Sequence, residues 1–194
     1  MLNGNLFQGE LVRLMVVDAE LYAREFSRWS RDTEYWRYMS AVASHPHSVK
    51  AVQEWIEKER GKDPLESYEF SIHRLADDKL IGEISIEAIA WNHGEAFVGI
   101  SIGEREEWGK GYGTDALRVA LRFAFNELNL QRISLNVFAY NPRAIRSYEK
   151  AGFVHEGRQR GNLLKEGSRY DLIFMGILKD EWLARNQPGG NGRQ

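Results

Sequence analysis

The hydrophobic pattern of the N-terminal part predicts one strand followed by two helices. Leu11 to Val17 is a short apolar segment interrupted by Arg13, and it predicts the strand. Asp18 and Ser48 belong to the residue types that cap helices, and apolar positions recur at helical spacing after each of them. The aromatic segment between the two helices, Asp32 to Ser40, favours neither a helix nor a strand.

The middle of the chain has the patterns of strands. Tyr68 to Leu75, Leu80 to Ala90 and Ala96 to Ile102 each predict one strand. Residues 77–78 and 92–94 separate these segments and have the composition of turns. Together the segments predict an antiparallel meander of three strands.

The C-terminal half alternates between helix and strand patterns. The predicted elements are a helix over Thr114 to Leu128, a strand over Ile133 to Phe138, a helix over Pro142 to Ala151, a strand from Phe153 onward and a strand over Arg169 to Leu178. This order favours a mixed sheet with helices on its faces. The last segment, Asn186 to Gln194, is glycine-rich and lacks apolar anchors. We therefore expect one domain over residues 1–185 and a disordered tail over residues 186–194.

Length and composition narrow the function classes. A chain of 194 residues with a formal net charge of −2 favours one domain, and no basic block indicates a nucleic-acid partner. The chain contains no cysteine, which excludes disulfides, thiolate catalysis and cysteine-bound metals. Its start lacks a signal peptide and no apolar run reaches about 18 residues, so we expect a cytoplasmic protein with no membrane partner. His45 and His47 flank Pro46 in a predicted loop, and this spacing leads us to expect no metal site.

A glycine-rich loop before a helix, Glu107 to Ala116 (EWGKGYGTDA), carries the most chemical information. Gly109, Gly111 and Gly113 permit backbone angles that other residues avoid, and they let a ligand approach the main chain. Unpaired N–H groups and the helix dipole favour an anion such as a diphosphate at this point, and Lys110 adds a full charge. A glycine-rich turn before an ordinary helix is the alternative. The glycine spacing is GxGxG, so the dinucleotide fingerprint GxGxxG and the phosphate loop GxxxxGK(S/T) are both absent.

The run from Val98 to Phe153 resembles the central motifs of the GNAT superfamily of acetyl-CoA-dependent N-acetyltransferases. In that family a strand leads into Arg/Gln-x-x-Gly-x-Gly/Ala, and the two diagnostic glycines fall on Gly111 and Gly113. Trp108 replaces the leading Arg or Gln. This replacement removes one polar side chain from the loop but leaves its backbone N–H groups.

A second motif of the family follows in the expected order. It has the form Asn-x-x-Ala/Ser-x-x-x-Tyr-x-x-x-Gly-Phe, and the matching residues are Asn141, Ala144, Tyr148, Gly152 and Phe153. The terminal segments GELVRL and RYDLIFMGILKDEW are similar to the branch that includes ribosomal-protein-alanine and spermidine acetyltransferases. With these segments the resemblance covers most of the chain.

The resemblance implies a single-domain GNAT fold of the α/β (α+β) class. Its sheet would be mixed, mostly antiparallel and of about seven strands, with helices on both faces. Two central strands, Ala96–Ile102 and Ile133–Phe138, would splay apart. The pantetheine arm of acetyl-CoA would then pair with main-chain groups at Ile100 and Ile102, because exposed backbone polar groups need partners.

The resemblance also implies which residues bind acetyl-CoA, the acetyl-donor substrate. Those that would hold its diphosphate are Gly109, Lys110, Gly111, Gly113 and Thr114. Asn141 would contact it near the thioester. Tyr148 would be the general acid, because a phenol with a pKa near 10 is protonated at neutral pH and can donate to the leaving thiolate. A half-buried helix tyrosine is the alternative interpretation of Tyr148.

The sequence leaves the general base open. The candidates on or near the meander are Glu83, Glu87, Glu95 and His93. An exposed strand or turn position is the better interpretation of each, and a chain of water molecules is a further alternative.

The amine acceptor is open as well. The resemblance favours a protein N-terminus of the ribosomal-protein-alanine type; the alternatives are a small amine, such as a polyamine, amino acid or antibiotic, and a CoA-binding domain without catalysis. Carboxylates that could attract a cationic polyamine are Asp32, Glu34, Glu83 and Glu87. An aromatic cluster fits either an acceptor wall or core packing, and its members are Trp29, Tyr35, Trp36 and Tyr38. Dimers are frequent in the family, and no residue decides whether this chain forms a homodimer.

Overall fold

The computed structural model describes residues 5–60 and 66–186. Its elements in chain order are β1 (Val12–Met15), α1 (Ala19–Trp29), α2 (Thr33–Met39), α3 (Val49–Arg60), β2 (Tyr68–Arg74), β3 (Leu80–Ala90), β4 (Glu95–Ile102), α4 (Tyr112–Asn126), β5 (Arg132–Phe138), α5 (Pro142–Ala151), β6 (Val154–Lys165), β7 (Ser168–Leu178) and α6 (Lys179–Asn186). A short 3-10 helix, Arg105–Glu107, lies between β4 and α4.

The strands form one mixed sheet in the order β1-β2-β3-β4-β5-β7-β6. All neighbouring strands are antiparallel except β4 and β5, which are parallel. The prediction of a mixed, mostly antiparallel sheet of seven strands is confirmed for the described part of the chain.

The parallel pair in the centre of the sheet is joined at one end only. Residues 95–97 of β4 lie opposite residues 132–134 of β5. Beyond these three pairs β4 continues to Ile102 and β5 to Phe138 without pairing to each other. The predicted splay of the two central strands is therefore confirmed.

The alternation of side chains along β3 gives the sheet two different faces. Ile84 and Ile86 pack in a hydrophobic cluster that includes Leu117 of α4. Glu83, which points the other way, accepts a hydrogen bond from the hydroxyl of Tyr22 in α1. The sheet thus has an apolar face under α4 and a partly polar face under α1.

The two predicted helix caps are confirmed. The Asp18 carboxylate accepts hydrogen bonds from the amides of Glu20 and Leu21 at 3.0 Å, at the start of α1. The Ser48 hydroxyl accepts one from the amide of Ala51 at 3.1 Å, at the start of α3.

Two helices lie where the sequence pattern predicts none. The aromatic segment forms α2, which Asp32 caps, and α6 follows β7 directly. Asn186, the first residue of the predicted disordered tail, ends α6, and residues 187–194 lie outside the described part of the chain. In the described ranges no helix has the length and apolar character needed to cross a membrane.

Candidate active site

A cleft of about 460 Å³ opens where β4 and β5 separate. Its walls are the unpaired part of β4, the end of β5, the glycine-rich loop with the first turn of α4, and α5. A strand edge that leaves its neighbour exposes backbone N–H and C=O groups, which need other partners. The cleft can therefore receive an extended ligand with amide groups of its own.

The first turn of α4 has no side-chain cap. Gly111, at the N-cap position, has φ 95° and ψ −11°, and no side chain caps the helix. Asp115, the acidic residue of the first turn, is directed elsewhere: it accepts from the amides of Leu11 and Val12 at 2.8 and 3.0 Å. The N–H groups of this turn and the positive end of the helix dipole therefore remain available to a ligand in the cleft.

The cleft brings together most of the site residues predicted from the sequence. The predicted residues that line it are Ile100, Ile102, Gly109, Gly111, Gly113, Thr114, Asn141 and Tyr148. Lys110 is not part of the lining, because its ammonium group forms an ion pair with the buried carboxylate of Glu107 at 3.1 Å. The full charge that the sequence suggested for the loop is thus neutralised locally.

Asn141 and Thr114 also have structural contacts. The Asn141 side-chain oxygen accepts from the amide of Ala144 at 3.1 Å and so caps α5. The Thr114 hydroxyl lies 2.8 Å from that of Ser147, which links the start of α4 to α5. The first contact stabilises the start of α5, and the second holds α4 and α5 together at the wall of the cleft.

Tyr148 is buried in the wall of the cleft, with 8% of its surface exposed. Its ring meets Phe153 edge-on at 6.0 Å between centroids. Burial raises the pKa of Tyr148 to about 12, so its hydroxyl is protonated at neutral pH. Within residues 5–60 and 66–186 this hydroxyl has no hydrogen-bond partner, and it is therefore free to donate to a ligand.

Arg143, which the sequence analysis did not select, adds a cation to the cleft. Its guanidinium carbon lies 3.8 Å from the centroid of the Trp108 ring and 5.2 Å from that of Tyr38. The Trp108 indole is itself fixed, since its N–H donates to the carbonyl of Ile102 at 2.6 Å. Partial burial lowers the pKa of Arg143, and no described carboxylate forms a salt bridge with it. In the sequence, the one indication of a role for Arg143 is its position as a cation in the first turn of α5.

A second cavity, of about 260 Å³, adjoins the cleft on the side of α1 and α3. The two cavities share lining residues of β4, namely Gly99, Ile100 and Ser101. Three carboxylates line the second cavity: Glu69, Glu83 and Glu87. Of the candidates for general base, His93 and Glu95 line neither cavity.

Glu83 is partly buried and hydrogen-bonded, which corrects its interpretation as an exposed strand residue. Its carboxylate accepts from the hydroxyl of Tyr22 and, at 3.2 Å, from that of Ser101. The Ser101 hydroxyl lies 3.1 Å from that of Tyr35. Burial raises the pKa of the Glu83 carboxyl.

The two other carboxylates predicted to attract a cationic acceptor are paired within the protein. Asp32 and Glu34 both form salt bridges with Arg105, so neither is an open carboxylate for a cationic ligand.

The aromatic cluster belongs largely to the core. Trp29 and Trp36 lie in the core beside α1. Tyr35 belongs to the same core and, with Tyr38, also lines the cleft. No group of three or more potential metal-ligating side chains occurs in the described ranges.

Comparison with known proteins agrees with this geometry. The family model for the acetyltransferase (GNAT) domain matches residues 11–154, most of the chain. The chain belongs to the GNAT acetyltransferase family. This acetyltransferase is 36% identical over 161 residues to YjcK, a probable N-acetyltransferase of Bacillus subtilis, with 82% of each chain covered. It is 30% identical over 140 residues to YdaF, a candidate ribosomal N-acetyltransferase of the same organism, with 72% of this chain and 76% of YdaF covered.

A solved structure shares the fold of this acetyltransferase. Spermidine N-acetyltransferase from Vibrio cholerae, crystallised with CoA and spermine, superposes with a TM-score of 0.78 at 26% identity. The match covers 89% of this chain and 98% of that one. The GNAT fold and the acyltransferase class predicted from the motifs are thereby confirmed.

Proposed function

We propose that this acetyltransferase transfers the acetyl group of acetyl-CoA directly to a primary amine while both substrates are bound. The observation that carries the proposal is the opening between β4 and β5 beside the uncapped start of α4. Such an opening offers a strand edge for an amide-containing arm and a helix N-terminus for phosphates.

The residues that line the cleft divide between the two parts of acetyl-CoA. Main-chain groups at Ile100 and Ile102 would pair with the pantetheine arm, and Asn141 would contact the substrate near its thioester. Those that would hold the diphosphate are Gly109, Gly111, Gly113 and Thr114, with the main-chain amide of Lys110. Arg143, on the stacked ring of Trp108, would supply the cation that the Lys110 side chain does not.

The chemistry follows from the needs of acyl transfer. A neutral amine attacks the thioester carbon, whose oxygen is polarised by a main-chain N–H near Ile100. As the C–S bond breaks, Tyr148 donates its proton to the thiolate, and the new amide nitrogen releases its extra proton to solvent. A pKa of about 12 keeps Tyr148 protonated before each turnover, and solvent then restores its proton.

Two classes of acceptor fit an N-acetyltransferase: a protein N-terminus of the ribosomal-protein-alanine type and a small amine. The size and lining of the second cavity favour the small amine. Its volume of about 260 Å³ lies just below the usual range for small-molecule sites, roughly 300–1,000 Å³.

The test combines binding and turnover. Acetyl-CoA at 100 times its Kd should add about 2.7 kcal/mol to the free energy of unfolding, which raises the Tm of a chain of this size by roughly 5–10 °C. A panel of amines and an N-terminal alanine peptide should then show thiol release. Absence of a Tm shift at saturating acetyl-CoA would remove the cofactor assignment.

A Tyr148→Phe variant separates an enzyme from a binding domain without catalysis. Loss of the general acid should lower kcat by about 10²–10⁴ with the acetyl-CoA-induced Tm shift unchanged. Tyr170→Phe, on β7, is the matched control. Equal and negligible turnover of wild type and Tyr148→Phe on the whole panel would favour the binding domain.

A further inference from the structure

We propose that Arg146 and Lys150 of α5 bind the 3′-phosphate of acetyl-CoA and so select this donor over acetyl-dephospho-CoA. The inference rests on the proposed function, since it concerns the donor of the same reaction. It adds a binding site for a third phosphate group and the two side chains that recognise it.

The basic residues of α5 form a row along the wall of the cleft. Arg143, Arg146 and Lys150 are three and four positions apart, so they lie on one side of the helix. All three line the cleft. A rise of about 1.5 Å per residue gives the row a length of roughly 10 Å, which is enough to meet more than one phosphate group.

This row has no local counter-ions. Within residues 5–60 and 66–186 no carboxylate forms a salt bridge with Arg143, Arg146 or Lys150. Glu149 is the carboxylate of α5, and it lies 3.0 Å from the ring of His155 instead. The three cations therefore keep their charge for a ligand.

The cations of the row also repel one another. Burial lowers the pKa of Arg143 most, and the charges of Arg105 and Arg146 lower it further. Arg143 and Arg146 are thus close enough for their like charges to interact. An anion bound beside the row would relieve this repulsion.

The carboxylates that line the cleft do not cancel the charge of α5. Glu107 is buried and forms salt bridges with Arg74 and Lys110. Glu87 lies on β3 and also lines the second cavity. The basic wall of the cleft is therefore the one that α5 provides.

A contact between α4 and α5 brings the row to the proposed diphosphate site. The hydroxyl of Thr114, in the first turn of α4, lies 2.8 Å from that of Ser147. Ser147 follows Arg146 directly and precedes Lys150 by three positions. Exposed cations on α5 thus flank the point at which the diphosphate would bind.

The chemistry of CoA supplies a matching anion. Its ribose carries the diphosphate at the 5′ position and a phosphate monoester at the 3′ position. A phosphate monoester has a charge of about −1.5 to −2 at pH 7 and favours arginine and lysine as partners. The N–H groups of α4 and the side chain of Arg143 serve the diphosphate in the proposed function, which leaves Arg146 and Lys150 for the 3′-phosphate.

The experiment compares CoA with dephospho-CoA, which lacks only the 3′-phosphate. Isothermal titration calorimetry measures the Kd of each ligand. We expect wild type to bind CoA about tenfold more tightly or better, because hydrogen bonds between charged groups are stronger than neutral ones. The ratio of the two Kd values should move toward one at high ionic strength, because salt screens exposed charges.

Two variants assign the preference to its residues. Arg146→Gln and Lys150→Gln should each weaken the binding of CoA and leave the Kd of dephospho-CoA unchanged. Unchanged binding of dephospho-CoA also shows that the variant is folded. Arg118→Gln, which replaces an exposed arginine of α4 outside the lining of the cleft, is the matched control and should keep the wild-type ratio.

The outcomes distinguish this inference from the proposed function. Equal affinities of wild type for CoA and dephospho-CoA would overturn the inference and leave the donor site intact, since both ligands would still bind. An equal loss of affinity for both ligands in Arg146→Gln and Lys150→Gln would also overturn it. Absence of binding of either ligand to wild type would overturn both.

Discussion

Trp108 occupies a position at which the GNAT motif has arginine or glutamine, and its indole makes two contacts that no sequence rule predicts. The ring N–H donates to the carbonyl of Ile102 at the end of β4. The ring face supports the guanidinium of Arg143 from α5. A cation therefore lies near the proposed diphosphate site, and α5, which is distant from the loop in the sequence, provides it.

Arg143→Ala tests whether Arg143, rather than the side chain of Lys110, provides the cation that binds acetyl-CoA. A hydrogen bond to a charged group is worth about 1.5–3 kcal/mol, so we expect acetyl-CoA to bind about 10–100 times more weakly. Isothermal titration calorimetry measures the change. Arg118→Ala, an exposed arginine on α4, is the control. Equal affinities of the two variants would mean that Arg143 does not contact acetyl-CoA.

Glu83 gives a prediction about stability and pH. Burial, with the neighbouring Glu69 and Glu87 charges, holds the pKa of Glu83 above its ordinary value. For a carboxyl with a raised pKa, the stabilising contribution is full below the ordinary value and is lost as the pH rises through the raised one. Glutamine can keep both hydrogen bonds, to Tyr22 and to Ser101, without this loss.

Glu83→Gln should therefore gain stability over wild type as the pH rises from 4 toward 8. We expect the Tm of Glu83→Gln to exceed that of wild type most at pH 8 and least at pH 4. Thermal unfolding at several pH values measures it. Glu127→Gln, which replaces an exposed carboxylate at the end of α4, is the control and should follow wild type at every pH. A Tm difference between Glu83→Gln and wild type that shrinks with rising pH would contradict a raised pKa for Glu83.

At the scale of elements, α4 depends on a glycine at its N-cap. Gly111 has φ 95°, in the left-handed region that other residues avoid, and it places the first turn of α4 against the cleft. A side chain that capped α4 would occupy the N–H groups of its first turn. Glycine at this position leaves these N–H groups open to the cleft.

Gly111→Asp should abolish the acetyl-CoA-induced Tm shift, since a carboxylate would occupy the anion site. Its matched control is Gly167→Asp in the turn between β6 and β7. Gly167 has φ 74°, and an added Cβ there would meet no atom within 4 Å. The control should lose some stability to backbone strain and retain the full shift. A shift of wild-type size in Gly111→Asp would mean that the loop is wrongly assigned.

The elements that the sequence predicts best are those with local signals. The bounds of β3 and α5 agree with the prediction, because strand alternation, a proline at the first turn and a cap define them within the segment itself. The pattern fails for α2, a seven-residue helix whose aromatic side chains face both the core and the cleft. It fails for α6 too, which buries no residue.

The candidate site also has parts that local sequence signals predict and parts that they do not. Motif spacing suffices to propose the main-chain groups of the glycine loop, since these depend only on where α4 begins. The contact between Tyr22 and Glu83 joins residues 61 positions apart, and the stack of Arg143 on Trp108 joins α5 to the loop. Side-chain environments of this kind arise from tertiary packing, so neither the burial of Glu83 nor the role of Arg143 follows from local pattern.

At the scale of the whole molecule, the sheet consists of two parts, β1–β4 and β5–β7, joined through three residue pairs. Amides of residues 98–102 that face β5 have no strand partner on that side. We expect acetyl-CoA to slow hydrogen exchange in this segment and in the first turn of α4, because it would provide the missing partners.

Mass spectrometry after deuterium labelling, with and without acetyl-CoA, measures this protection. The hairpin of β6 and β7 serves as an internal reference, since its strands pair with each other away from the opening. Protection confined to the hairpin, or uniform over the chain, would argue against a ligand that pairs with β4.

The short parallel junction has a mechanical consequence. A force that separates the two parts of the sheet meets few backbone hydrogen bonds between β4 and β5. Resistance there depends heavily on α4, which packs in one hydrophobic cluster with residues of both parts. A substrate arm laid along β4 would act as an additional, non-peptide strand across that gap. The enzyme would then be stiffest when loaded with its acetyl donor and most compliant after the product leaves.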